Sequence, residues 1–523
     1  MSTLASTLIS WAGSLRKSVE AEESASTEPL LQKSDDGDEG GTTTVEEPDD
    51  LYPLHYFDDT TINRSMIMCW SMKFDDVLDP EALRDSLSQL IKLTIVARDA
   101  APHQAWKRLY IHVPKKYSAA RPPIRYSHAA FDIKIEDHPL ASQLPRATGT
   151  PSLHPGPELF TTLAQGPGSP VSIHDYIKGD EPQIALHVVS FEDATLVSMS
   201  WPHTLTDAMG RYALIEAWCH VLAGRTSQVA PLLGAREDLV RPVVKDPEPG
   251  EVEEPYALEK YLLTSWQMLL FVLYFFIDVF CTTRVLRTIS LTPKAVATLV
   301  REGRQDVADV KVGDKPAFVS EGDVLTAWAT RLAASELPAH SNRTVMLSTV
   351  FELRSRLKDV FQQGGAYVQN LVLSATAVVP AQHVLKRPVG SLALHIRQTI
   401  AEQTRLPQIQ AQARLYRRMY LKKGHGPGFG KPSNFIVVFS NWLKGNFFNV
   451  VDFGPAVLPS KTARQSRGPR EARVLSLPDA AEGPDVEQYF QYPRQGRRGN
   501  VWITGYLPLK TWKTVQAELD RLT

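Results

Sequence analysis

In the stretch MSWPHTLTDAMGRYALIEAW, Met199 to Trp218, a histidine and an aspartate stand four positions apart where an apolar run gives way to a helical pattern. His203 and Asp207 are the candidate catalytic residues, and three chemistries suit the pair. Both side chains could share a helical face and hold a metal. No third ligand stands at a sensible spacing, His187 and His220 being the nearest histidines. The pair could be structural, a buried histidine beside an aspartate that caps the first helical turn. In the third reading His203 is a general base at the mouth of a strand, and Asp207 fixes the backbone without touching the reacting proton. A neutral imidazole is the side chain best suited to proton removal near neutral pH. The pair alone leaves all three open.

The elements that would position the pair are legible around it. QIALHVVSFE, Gln183 to Glu192, and TLVSMSWPH, Thr195 to His203, are two apolar runs separated by a two-residue turn, which predicts a hairpin. A helix follows from about Asp207 to Leu222, with Gly224 as its stop. Upstream, DPEALRDSLSQLIK offers Asp79 as a cap and Pro80 in the first turn, with Leu83, Leu87, Leu90 and Ile91 on one face. The Pro-rich, acidic RPVVKDPEPGEVEEP reads as a crossing connection. Beyond it, VLRTISLTPKAVATLVREG predicts a strand and a helix, and VSEGDVLTAWATRLAA a helix capped by Ser320. TVMLSTVFELRSRL, SNFIVVFSNW and NVWITGYLPL read as strands. Strands and helices mix in both halves, which points to two α/β or α+β domains.

Length and composition agree. The 523 residues exceed one ordinary core, and 57 Lys plus Arg nearly balance 58 Asp plus Glu. No global field, basic stripe or recognition-helix motif argues for nucleic acid. Three widely spaced cysteines, Cys69, Cys219 and Cys281, exclude a disulfide framework and favour a reducing compartment. The N-terminus lacks the basic start and continuous apolar core of a secretory signal. Leu4, Leu8, Trp11 and Leu15 recur at helical spacing there, and a polar, acidic segment to residue 50 should be a disordered tether. There is no Gly-x-Ser-x-Gly elbow for a serine hydrolase.

Far downstream stands NVVDFGPAV, with Asp452-Phe453-Gly454. With this second signature the chain resembles the BAHD acyltransferases, a large plant and fungal family, and looks most like its fungal, trichothecene 3-O-acetyltransferase-like branch. The family's motifs are His-three residues-Asp-Gly and Asp-Phe-Gly-Trp-Gly. Here they read His203-Thr-Leu-Thr-Asp207-Ala208 and Asp452-Phe453-Gly454-Pro455-Ala456, so a glycine and a Trp-Gly are replaced. SLSQLIKLTIVARDAA, VSEGDVLTAW, ELRSRL and GGAYVQN, ending at Asn370, fall in the family's order, and the resemblance spans Leu51 to Leu522.

That resemblance implies an α/β (α+β) fold of two chloramphenicol-acetyltransferase-like domains with an active-site channel between them. The expected division is a disordered tail over 1–50, a first domain over 51–235, a crossover with an apolar helix over 236–284 and a second domain over 285–523. Acyl-CoA would be co-substrate, with no bound cofactor and no metal. His203 would take a proton from the hydroxyl or amine of a small lipophilic metabolite. Asp207 would pair with an arginine of the second domain, Arg354 first and Arg356 second. Asp452 and Gly454 would be structural and remote from the chemistry. The expected partners are the acyl-CoA donor and a small-molecule acceptor, with the protein a cytoplasmic monomer. A non-catalytic acyl-binding or regulatory protein on the same scaffold is the alternative. A carrier-dependent condensation domain fits less well, since Pro202 stands where those domains carry a second histidine.

One segment bears on membranes. YLLTSWQMLLFVLYFFIDVFC, Tyr261 to Cys281, is long enough to span a bilayer and carries one charge, Asp278. A span would separate His203 from Asp452 and abolish the channel, so a packed or interfacial helix is expected. Trp266, Leu269, Leu270, Leu273 and Phe276 form a stripe that would pack on the body, leaving Phe271, Val272 and Phe275 outward for a peripheral membrane contact.

Overall fold

The computed structural model describes residues 49–94, 98–103, 108–244, 250, 253–280, 282–423, 426–441, 450–459, 473–475, 489–492 and 499–523. The expected tail up to residue 48 and its amphipathic stretch lie outside the described residues.

The first half builds β1 (Ile67–Phe74), α1 (Pro80–Leu93), β2 (Arg125–Ala130), β3 (Ser152–Pro155), β4 (Ala185–Ser190), β5 (Thr195–Pro202) and α2 (Ala208–Leu222). Asp79 caps α1 as its position predicts, accepting from Glu81 N at 2.9 Å and Ala82 N at 3.1 Å. Leu83, Leu87, Leu90 and Ile91 are all buried on one face. That face and Ile215 and Trp218 of α2 pack against Trp70, Leu186, Val197 and Met199 of the sheet. The hairpin is present, β4 running antiparallel to β5. β5 is buried along its whole length, so its alternate side chains fill two separate cores.

The second half adds α3 (Ser265–Phe280), β6 (Arg284–Leu291), α4 (Pro293–Gln305), α5 (Glu321–Ala333), β7 (Thr344–Glu352), β8 (Val372–Pro380), α6 (Val389–Gln403), α7 (Leu406–Lys423), β9 (Phe435–Asn441), β10 (Arg473–Leu475), β11 (Tyr489–Tyr492), β12 (Val501–Pro508) and α8 (Thr511–Arg521). Ser320 and Asp323 form a reciprocal capping box that starts α5. Seven strands pair in the order β8-β7-β9-β11-β12-β6-β3, and five in the order β10-β1-β5-β4-β2. Each sheet thus takes one strand from the other half of the chain. β3 pairs with β6 through Ser152 and Ser290, and β10 pairs with β1 through Arg473 and Lys73. A second core lies between the larger sheet and α4, α5, α6 and α8.

The segment around Asp452 packs on the first half. Phe453 stacks on Phe74 at 5.2 Å and meets Trp218 edge-on at 4.5 Å. Ala456, one of the two departures from the family motif, is buried, and its carbonyl accepts from Asp79 N at 2.7 Å. The Ala456 carbonyl therefore holds the start of α1.

Helix α3 turns the other way from the expected stripe. Trp266, Leu269, Leu273 and Ile277 are 66%, 57%, 47% and 49% exposed, whereas Phe271 and Phe275 are half-buried. The helix is apolar on every side, so periodicity could not choose a face. Asp278 pairs with Arg343 on the face that also carries Met268, Phe271 and Phe275. Among the described residues no helix is long and apolar enough to cross a membrane.

Candidate active site

His203 is the first residue after β5, and two main-chain bonds hold it. Its N–H continues the strand pairing by donating to Met66 O at 2.9 Å. Its carbonyl accepts from Asn370 Nδ2 at 2.8 Å. The residue is half-buried. Nδ1 is buried without a hydrogen-bond partner, and Nε2, neither buried nor bonded, is the ring nitrogen left open. Burial holds the imidazole below its ordinary pKa. Its own carbonyl, Asp207 and the Asn370 side chain act in the opposite sense, and the charge of Arg211 lowers it further. The neutral form, which can accept a proton, is the one favoured at pH 7.

Asp207 is the cap of α2 and is 4% exposed. Its Oδ1 accepts from Met209 N at 3.0 Å and Gly210 N at 2.8 Å. Arg354 grips both oxygens, Nη1 to Oδ2 at 2.9 Å and Nη2 to Oδ1 at 3.1 Å. Leu371 N donates to Oδ2 at 2.9 Å. Five donors occupy the carboxylate, and none of them is the imidazole. Arg354 also donates to the carbonyls of Tyr367 and Gln369, so the guanidinium ties α2 to the turn before β8. The candidate arginines separate cleanly here. Arg356 instead donates to Thr404 Oγ1 at 2.8 Å.

Ala208 needs no special backbone freedom. Asp207 is extended, with φ −90° and ψ −175°, and Ala208 is already helical. The close approach falls at Gly210, where a Cβ would press into Val368 O and Thr206 Oγ1. Gly210→Ala should therefore destabilise the protein by ~1–3 kcal/mol, as overpacking does. Urea unfolding checks this, and an unchanged midpoint would mean that the turn gives way freely.

Asp452 N donates to Cys219 Sγ at 3.3 Å, and Asp452 Oδ1 accepts from Gly454 N at 3.1 Å. Cys219 lies twelve positions along α2 from Asp207, about 18 Å at the helical rise. Asp452 and Gly454 are thus not gathered with His203, Asp207 and Arg354.

Sequence reasoning missed Asp58, Met66, Gly210 and Arg211. Arg211 is buried one turn after Asp207, its guanidinium 4.6 Å from the Trp70 ring and 5.7 Å from that of Trp201. Its four-residue step from Asp207 was the only signal available. Among the described residues no cluster of His, Cys, Asp or Glu could hold a metal.

Comparison with known proteins gives the family and the fold. Residues 170–495 match the Transferase family. The chain is 33% identical to Acetyltransferase BOT5 of Botryotinia fuckeliana over 97% of this chain and 95% of that one. The chain belongs to the Transferase family, the BAHD acyl-CoA-dependent acyltransferases. Another family relative, 33% identical over 90% of this chain and 95% of its own, is Transcriptional regulator calD of Penicillium decumbens. The fold is that of TRI101 of F. sporotrichioides, whose structure holds coenzyme A and T-2. The TM-score is 0.63 at 16% identity, over 89% of this chain and 97% of that one. The two sheets are accordingly the two chloramphenicol-acetyltransferase-like halves of a BAHD fold.

Proposed function

We propose that this protein moves an acyl group from acyl-CoA to a hydroxyl or amine of a small lipophilic secondary metabolite, with His203 as general base. The observation that carries the reading is His203 itself. A ring held neutral presents one open nitrogen, on a loop that Asp207 and Arg354 clamp from behind. In the reaction, Nε2 takes the acceptor proton while the acceptor oxygen or nitrogen bonds to the thioester carbon. The C–S bond then breaks, and the imidazolium returns the proton to the leaving thiolate. His203 ends as it began. Asp207 is a positioning residue, since its oxygens are filled by other donors, and every group named belongs to one copy of the chain.

The test is incubation of the purified protein with acetyl-CoA and longer acyl-CoAs, using a panel of lipophilic alcohols and amines and a native extract. Free CoA and an acylated product, both followed by mass spectrometry, are the expected result. The second reading, a non-catalytic regulator, draws on the name of the calD relative and on the altered second motif. Binding of acyl-CoA without CoA release under any acceptor would favour it and overturn the first.

For the apolar helix we propose a lipid surface as the partner. Trp266, Leu269, Leu273, Tyr274 and Ile277 face outward together. Five half-exposed large side chains offer on the order of 500 Å², below the ~800 Å² per partner of a stable protein interface. A bilayer demands no such matched area. Wild-type protein should float with liposomes, and Trp266→Lys with Leu273→Lys should stay below while keeping CoA release. Wild type that floats with no liposome composition defeats the proposal.

A further inference from the structure

Asp207 is not the only carboxylate buried beside the histidine. Asp58 is 3% exposed and closes a turn with His55, whose N–H donates to Asp58 Oδ2 at 3.1 Å. Asn63 Nδ2 donates to the carbonyls of Phe57 at 2.8 Å and Asp58 at 3.2 Å and pins that turn from the other side. Asp58 Oδ1 accepts from Asn370 twice, from N at 2.6 Å and from Nδ2 at 2.9 Å. The same Nδ2 donates to the His203 carbonyl. The next amide, Leu371 N, goes to Asp207. Two successive N–H groups of the turn before β8 are thus divided between two carboxylates, and the His203 loop is anchored between them.

We propose that Asp58 is a positioning residue for His203, acting through Asn370 on the His203 carbonyl and so setting the direction in which the imidazole leaves β5. Both protons of an amide NH2 are committed here, one to Asp58 and one to His203. Without Asp58 the Asn370 side chain keeps only its bond to the His203 carbonyl, with no second partner to fix its rotation, so the two can shift together. The role needs an acceptor more than a charge. Burial pushes the Asp58 carboxyl up to about 7, helped by the nearby charge of Asp207 and opposed by the Asn370 and His55 donors, so its neutral form is already populated near neutral pH. Asparagine keeps an acceptor oxygen toward Asn370, although its NH2 would face the His55 N–H, so it should preserve the positioning at some cost in stability.

The kinetic arm of the test rests on the acyl-transfer reading. Asp58→Ala should lose ~10- to 100-fold in kcat, the scale of a small misplacement of a reacting group. The KM for acyl-CoA should hold, and Asp58→Asn should stay within ~3-fold of wild type because the hydrogen bond is preserved. Asn370→Ala should match Asp58→Ala, and the double variant should be no worse than the poorer single one, as for residues acting in series. Losses that multiply, or Asp58→Ala turning over like wild type, would overturn the proposal. So would an Asp58→Asn as impaired as Asp58→Ala. Should Asp58→Ala not fold, Asp58→Glu, which displaces Asn370 while keeping the charge, must show the loss of kcat. If the wild type transfers no acyl group, the reaction reading fails by itself. A crystal structure of Asp58→Ala or Asp58→Glu then decides the positioning role: a displaced His203 carbonyl supports it, an unmoved one ends it.

Discussion

His203→Ala should leave a folded protein that has lost at least ~10²-fold in acyl-transfer rate, the lower end for removing a positioned base. The fold should survive because both bonds that anchor the residue are main-chain bonds, to Met66 O and from Asn370 Nδ2, and alanine keeps them. The ring itself has no hydrogen bond to lose. Thermal unfolding should change little, and acyl-CoA binding should persist, while CoA release with a competent acceptor collapses. Turnover near the wild-type rate in a folded variant would remove His203 from the chemistry.

The second large effect is on stability. Asp207→Asn should destabilise by ~3–5 kcal/mol, the cost of leaving one partner of a buried ion pair without the other. The pair is buried on both sides, 3% and 16% exposed at the side chains of Asp207 and Arg354. An amide cannot accept the two-pronged guanidinium and the Leu371 N–H together, because its NH2 opposes those donors. Arg354→Ala should cost a similar amount, and the double variant less than the sum of the two. Arg356→Ala, whose partner is Thr404, should leave the clamp intact. Urea unfolding checks all four. An Asp207→Asn as stable as wild type would show that the clamp contributes nothing to the fold.

The two halves of the site differ in how readable they were. His203, Asp207 and Arg354 sit in short local patterns: a strand end, a helix cap and a strand followed by arginines. Each pattern is written in consecutive residues, and the pairing of Asp207 with Arg354 came from the family resemblance, not from spacing. Asp58 sits in a turn with no periodicity, and its role exists only because residues 55–58 and 367–371 meet in space. Gly210 is likewise silent in sequence, since a helical glycine reads as a weak helix former until its neighbour, the Val368 carbonyl, is known. The exchanged strands β3 and β10 are four and three residues long, too short for an alternating pattern to show. Helix α3 was visible as a helix, but it is apolar on every side, and the face it buries is marked only by long-range partners such as Arg343, 65 positions from Asp278.

The pH dependence of kcat/KM for acyl transfer tests most directly whether a neutral His203 drives the reaction. Removing a proton from the acceptor requires the unprotonated ring, so the rate should rise as pH rises through the pKa of His203 and then level off. Because burial lowers that pKa, the half-maximal rate should fall below the ordinary imidazole value of about 6.5. The residual activity of His203→Ala should lack this limb. A half-maximal rate above the ordinary imidazole value of about 6.5, or an acid limb kept unchanged in His203→Ala, would contradict the assignment of the base.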